Sequence, residues 1–185
     1  MTAKEVPLVG RHMIGNVLAA SIGASLVGAP AEAIRAAVRG FGGVPHRLEP
    51  VGEWRGVRFV NDSQATIPMA AIAALGAFEA PIVLIAGGQG KGLDYREFAD
   101  AIAAHCRAVV LVGETADELE RLIAGRVRVA RADSMDAAVA AARELAQAGD
   151  VVLLAPAATS FDMFADYAAR GDAFKEAVRT AEEAP

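Results

Sequence analysis

The chain has 185 residues, 54% of them hydrophobic and 22% charged, a balance that supports a buried core and excludes a disordered chain. The formal charge is −5, with acids and bases interspersed and no Lys/Arg run, so nothing marks a nucleic-acid partner. The single cysteine excludes an internal disulfide and fits a reducing cytoplasm, no apolar run reaches the roughly 20 residues of a membrane span, and the first ten residues lack the apolar core of a secretory signal.

Two helices are expected first, over residues 14–27 and 30–40, separated by Gly28-Ala29. Pro30 suits the first turn of the second. Phe41-Gly42-Gly43-Val44-Pro45 reads as a linker. Strands over 48–53 and 57–60 follow, and Trp54-Arg55-Gly56 between them makes a β-hairpin. From Pro81 onward, apolar runs at 82–86, 109–112, 127–130 and 151–155 alternate with helical stretches at about 95–105, 116–123 and 135–147. That alternation predicts βαβ units with a parallel sheet, and strands apolar throughout predict helices on both faces. Ser134 and Thr115 are placed to cap the helices that follow them. Cys106, in a helical pattern with Phe98 and Ile102, reads as a buried structural thiol, and His105 as a partner of the helix C-terminal dipole. The fold class is therefore α/β: a Rossmann-like, mostly parallel sheet with helices on both faces and an N-terminal β-hairpin, preceded by two helices. The boundary falls near Gly43, giving units 1–43 and 44–185. The two helices of the first unit have little to pack on, as at the end of a larger domain.

Val60-Asn61-Asp62-Ser63-Gln64-Ala65-Thr66 places amide, carboxylate and hydroxyl groups straight after a strand. In open α/β sheets the carboxyl ends of the strands are where ligands bind. Gly87-Gly88-Gln89-Gly90-Lys91-Gly92 also follows a strand, but it matches no phosphate loop, because Ile85 stands at the first glycine position and Gly92 where Ser or Thr belongs. Leu93 in place of a third glycine excludes a dinucleotide fingerprint as well. On spacing alone Lys91 is either an ammonium set to neutralise an anion or a solvated lysine on a tight turn. Thr159 and Ser160 follow the last strand at what reads as a helix start, which fits either N-capping or an anion held by backbone N–H groups. In a parallel sheet residues 62–66, Lys91 and Ser160 share one edge. Arg47, just past the linker, is either a solvated charge or a group that reaches a phosphate when domains close. His12 has the same ambiguity, with structure the simpler reading. The three histidines and one cysteine are too scattered for a zinc site, and Ser63 and Ser160 lack a His/Asp pair for a hydrolase triad.

Several short motifs run in order over nearly the whole chain. They are Gly10-Arg11-His12 with Asn16-Val17-Leu18-Ala19-Ala20, Pro45-His46-Arg47-Leu48-Glu49, Asn61-Asp62-Ser63-Gln64-Ala65-Thr66, the glycine-rich loop at 87–92, residues 149–157, and Ser160-Phe161-Asp162-Met163-Phe164 with Arg170-Gly171-Asp172-Ala173-Phe174. In this order they resemble the Mur ligases, and within that family the branch that joins D-glutamate to UDP-N-acetylmuramoyl-L-alanine in peptidoglycan precursor synthesis. The resemblance implies ATP-dependent amide bond formation, in which a substrate carboxylate is phosphorylated and the amine of D-glutamate attacks the acyl phosphate. It implies that residues 1–43 end a central ATPase domain and that 44–185 form the C-terminal Rossmann-like domain. Nucleotide contacts fall by resemblance to Asn16, Arg47 and Asp62. Positions around D-glutamate fall to Thr66, Lys91, Ser160, Phe161 and Tyr167, and the catalytic assignments to Arg47 and Lys91. ATP would come with Mg2+, bound mainly by central-domain segments this chain lacks, and no residue here is assigned to metal.

Gln64 stands where the family usually has Lys, Ile67 where it has Asn after Thr66, Met13 where it has Asn after His12, and Tyr167 where Phe is more usual. The chain carries no Gly-Lys-Thr phosphate loop and no UDP-sugar domain, so the isolated chain is expected not to turn over. Three readings follow. One is a D-glutamate-adding ligase fragment that works with the missing N-terminal domains in trans. Another is a non-catalytic binding module that kept the fold. The third is a ligase of the same family with a changed amino acid, for which Gln64 would suit a less acidic substrate.

Overall fold

The computed structural model describes residues 2, 5–8 and 10–183, without the side chains of residues 11, 12, 182 and 183, so the His12 side chain lies outside the described residues. The chain divides into two compact units, Met1–Pro45 and His46–Pro185.

The first unit contains α1 (Arg11–Leu26) and α2 (Ala31–Gly40), packed on each other. Pro30 occupies the N-cap in extended conformation, so α2 begins just after it rather than at it. A fixed φ and a missing N–H suit Pro to this entry. Leu18, Ile22 and Leu26 recur at helical spacing on α1 and stay exposed.

The second unit is a six-stranded sheet in the order β1-β2-β6-β3-β4-β5. Its strands are β1 (Glu49–Trp54), β2 (Val57–Asn61), β3 (Ile82–Gly87), β4 (Cys106–Val112), β5 (Arg128–Arg131) and β6 (Val151–Leu154). Only β1 runs antiparallel, paired with β2 across a bulge between Pro50 and Gly52. The hairpin turns at Arg55 (φ 50) and Gly56 (φ 77), both left-handed, the conformation whose twist matches the flanking strands. Two guanidinium groups lie over the Trp54 ring, Arg55 at 4.5 Å and Arg143 at 3.8 Å from its centroid.

The helices are α3 (Pro68–Leu75), α4 (Arg96–His105), α5 (Ala116–Ile123), α6 (Met135–Leu145) and α7 (Tyr167–Glu183). One face of the sheet presents Phe59, Val83, Ile85, Val110, Val152 and Leu154 to α6 and α7. The alternate residues face α3, α4 and α5, the last two of which touch the central strands. Burial on both faces explains the unbroken apolar strands. The small side chains of Ala138 and Ala142 let α6 approach the sheet closely.

The α/β class, the mostly parallel sheet and the hairpin agree with the sequence reading. Two helices escaped it. α3 begins with a proline, Pro68, and is apolar nearly all round, so it has no amphipathic stripe to read. α7 starts at Tyr167, well after the expected helix start near Ser160. There the chain makes a single turn in which Ser160 O accepts the N–H groups of Met163 and Phe164 at 3.0 and 2.7 Å. α4 ends at His105 as expected and Cys106 opens β4; it is half-buried rather than buried, and burial pushes its thiol up to about 12. Ser134 caps α6 by accepting the Ala137 N–H at 3.2 Å. Thr115 occupies the N-cap of α5 but its hydroxyl makes no cap bond and is buried without a partner.

Phe174 is fully buried and fastens α7 to the sheet. Replacing it by Ala should lower the unfolding free energy by about 3–5 kcal/mol in a urea titration, because the neighbouring strands cannot collapse into the cavity. A loss below about 1 kcal/mol would mean that α7 is not part of the cooperative core.

Candidate functional site

The strand order builds the site. β6 lies between β2 and β3. It leads into α7 on one face, whereas β2 and β3 lead into α3 and α4 on the other. Loops leaving neighbouring parallel strands toward opposite faces open a crevice at their carboxyl ends. The loops at that edge are 62–67 after β2, 88–95 after β3, 113–115 after β4 and 155–166 after β6. Because β1 is antiparallel, its first residue Glu49 pairs with Asn61, the last of β2, which delivers Arg47 to the same edge.

Of the residues singled out in the sequence, Thr66, Lys91, Ser160 and Phe161 therefore stand on loops of one edge, with Arg47 and Asp62 beside them. Lys91, Arg47 and Phe161 are exposed, Thr66 is half-buried and Ser160 is buried. Tyr167, at the start of α7, turns its ring edge-on to His46 at 6.0 Å. Asn16 belongs to the first unit, on α1, where it is exposed and its Nδ2 lies 3.7 Å from Met13 Sδ.

The glycine-rich loop is no free turn. Gln89 and Thr159 exchange both backbone hydrogen bonds, at 2.9 and 3.0 Å, and the Thr159 hydroxyl donates to Gln89 O at 2.9 Å. This leaves neither Thr159 nor its neighbour as a helix cap. Gly88, at φ 138, permits the close approach, since a Cβ there would strike Thr159 O. The loop after β4, absent from the sequence reading, joins through the Glu114 N–H, which donates to Asp162 Oδ2 at 3.0 Å. Asp162 thus ties the turn after Ser160 to the loop after β4.

Arg47 rides on a kinked backbone. Its neighbours His46 (φ 62) and Leu48 (φ 45) are both left-handed, a conformation costly for side chains with a Cβ. Bonds on either side hold it. The His46 N–H donates to Glu49 Oε2 at 2.8 Å, His46 O accepts the Gln64 N–H at 3.1 Å, and the Leu48 N–H donates to Asp62 Oδ1 at 3.0 Å. Asn61, wholly buried, places Nδ2 within 3.1 Å of both His46 Nδ1 and Glu49 Oε2. The residue that the sequence reading missed most completely is Arg170. It is 1% exposed, and its guanidinium donates to Ser63, Ala158 and Thr159. Its place in an Arg-Gly-Asp motif was visible, but nothing local tells a buried arginine from a solvated one on a helix.

Burial raises the Asp62 carboxyl to about 6, against the Leu48 N–H bond and the Arg47 charge, which pull it down. The folded chain then holds a proton on Asp62 that the unfolded chain has released, so this group's contribution to stability falls as pH rises from about 4 through 6. Asp62→Asn keeps an acceptor for Leu48 and removes the buried charge. The variant should be the more thermostable above pH 7, and its advantage should close as pH falls from about 6 to 4. An advantage independent of pH would refute this.

Among the described residues no cluster of His, Cys, Asp and Glu is arranged to hold a metal ion. No described helix is long and apolar enough to cross a membrane. Residues 46–158, more than half of the chain, match the family model for the Mur ligase glutamate ligase domain. The chain is 45% identical over 181 residues to UDP-N-acetylmuramoylalanine--D-glutamate ligase of Nitrosococcus oceani, covering 97% of this chain and 40% of that protein. It is 48% identical over 174 residues to the ligase of the same name from Acidobacterium capsulatum, covering 94% of this chain and 38% of that one. The chain thus spans about 40% of the length of these curated relatives. Among solved structures it resembles UDP-N-acetylmuramate-alanine ligase from Thermotoga maritima, with a TM-score of 0.69 at 17% identity, covering 94% of this chain and 39% of that one. It also resembles folylpolyglutamate synthase from Mycobacterium tuberculosis, with a TM-score of 0.68 at 20% identity, covering 97% and 42%. At those identities the structures speak for the fold alone. A mostly parallel sheet with this strand order, polar loops gathered at its carboxyl edge and a family match over more than half of the chain agree on one assignment: the chain belongs to the Mur ligase family, with its glutamate ligase domain over residues 46–158.

Proposed function

We propose that this chain is the amino-acid-binding portion of an ATP-dependent ligase that adds D-glutamate to UDP-N-acetylmuramoyl-L-alanine. The observation that carries the reading is the gathering of Lys91, Thr66 and the Ser160-Phe161 segment at one sheet edge. D-glutamate has two carboxylates, and an ammonium with hydroxyl and backbone donors is the chemistry that recognises them. The names of the relatives point to the same ligand. In this reading Lys91, Thr66, Ser160, Phe161 and Tyr167 surround D-glutamate, with Tyr167 set against His46.

Arg47 fits a phosphate. It is exposed, always charged and fixed by bonds on both sides of its kink. ATP would supply the phosphoryl group that activates the acceptor carboxylate. Arg47 would meet it, with Asp62 holding the kink; Asn16, within residues 1–43 read as the end of the central ATPase domain, is assigned to the nucleotide by the family resemblance alone. Mg2+ would be held by segments of the relatives that this chain does not span. A cytoplasmic setting suits the nucleotide and the free thiol of Cys106.

Two outcomes test the reading. Titration calorimetry should show D-glutamate binding to the isolated chain, and Gln64→Lys should tighten it by restoring a cation to the wall; unchanged affinity in that variant would count against Gln64 facing the ligand. The chain alone should release no ADP from ATP with D-glutamate and the UDP-sugar substrate present, and should regain ligation when the remaining domains are added. A stable chain that stays silent after complementation would favour a binding module instead.

A further inference from the structure

The Arg170 side chain stands out as a buried cation with no carboxylate hydrogen-bonded to it. Nε donates to Ser63 Oγ at 3.0 Å, Nη1 to Ala158 O and Thr159 O at 3.1 and 3.0 Å, and Nη2 to Ser63 O and Ala158 O at 2.9 and 3.1 Å. Every N–H of the guanidinium is thereby committed, and every acceptor is neutral. Arg170 has no donor left for a ligand. What it joins is the loop after β2 to the loop after β6, and through the Gln89–Thr159 pair the loop after β3. Ser63, fully buried, is the second node. It accepts from Arg170 and donates its hydroxyl to Tyr167 O at 2.7 Å, while its N–H is held by Asn61 Oδ1 at 3.1 Å. Gly88 packs directly on this node, since a Cβ there would come within 3.1 Å of Arg170 Nη1.

We infer that Arg170, with Ser63 as its partner, is the positioning residue of the anion-binding edge: it holds the Thr66, Lys91 and Ser160 loops in one fixed arrangement, and the affinity for a dicarboxylate amino acid depends on that arrangement. The inference rests on the reading of this edge as the D-glutamate site. The groups of the edge sit on separate loops, so the bound geometry must be held in advance or ordered on binding. A guanidinium fork holding carbonyls of two loops does the former. Lysine at 170 keeps the charge but can replace only part of the fork.

The test uses the chain as it stands, with Ser63→Ala and Arg170→Lys. Amide hydrogen exchange at Gln89 and Thr159 reports the linked loops without any ligand, and calorimetry with D-glutamate reports the site. Ser63→Ala removes one bond to Arg170 and one to Tyr167 and should keep cooperative unfolding. It should speed exchange at both amides and weaken D-glutamate by roughly tenfold, the effect of one lost charge-assisted bond. Arg170→Lys should speed the same amides further and weaken D-glutamate more. Exchange unchanged in both variants overturns the inference, as does faster exchange with D-glutamate affinity unchanged. If the parent chain takes up no D-glutamate, the assignment of the ligand has failed and the affinity half of the inference falls with it. The exchange rates would then still decide whether Arg170 links the loops.

Discussion

Burying a guanidinium obliges the surrounding chain to furnish acceptors. Taking such a group out of water costs roughly several kcal/mol unless every N–H is satisfied. Burial lowers the Arg170 pKa to about 10, partly countered by the charge of Asp162, so the group stays cationic at neutral pH. Ser63, Ala158 and Thr159 supply its acceptors, and supplying them brings the ends of β2 and β6 together. The Gln89–Thr159 pair then carries the glycine-rich loop along, and Asp162 the loop after β4. The edge that reads as a ligand site is thus shaped by one side chain that itself meets no ligand.

The hairpin serves the same edge differently. An antiparallel first strand begins at the carboxyl ends of the others, so Arg47, just before it, lies at that edge between two left-handed residues. Asp62 accepts the Leu48 N–H from beneath, at the cost of a carboxylate that is poorly solvated. Gln64 binds the same kink through its backbone, so the wall holding Thr66 and the kink holding Arg47 share a hydrogen bond. A residue that departs from the family pattern in side chain therefore keeps its structural part through its N–H.

All six strands and five of the seven described helices were legible because their periodicity is strong. Apolar runs such as Ile82–Gly87 between helical stretches admit few other readings. The shared edge of Thr66, Lys91 and Ser160 was legible too, since parallel strands put their carboxyl ends together. α3 was lost because an apolar helix without a polar face has no period. The turn after Ser160 reads in the sequence as the start of α7 because hydroxyls after a strand look the same locally whether one turn or a whole helix follows.

The sequence by itself determined the α/β class, the hairpin and the residue types needed to hold an anion, because these follow from local chemistry and spacing. Only the tertiary structure decided which loops touch, that Arg170 is buried rather than solvated and that Asp62 spends an oxygen on the backbone beside Arg47. Strand order and burial arise from contacts between residues far apart in the chain, and no local pattern records them. Arg170 and Ser63, separated by more than a hundred residues, meet only after β6 has inserted between β2 and β3.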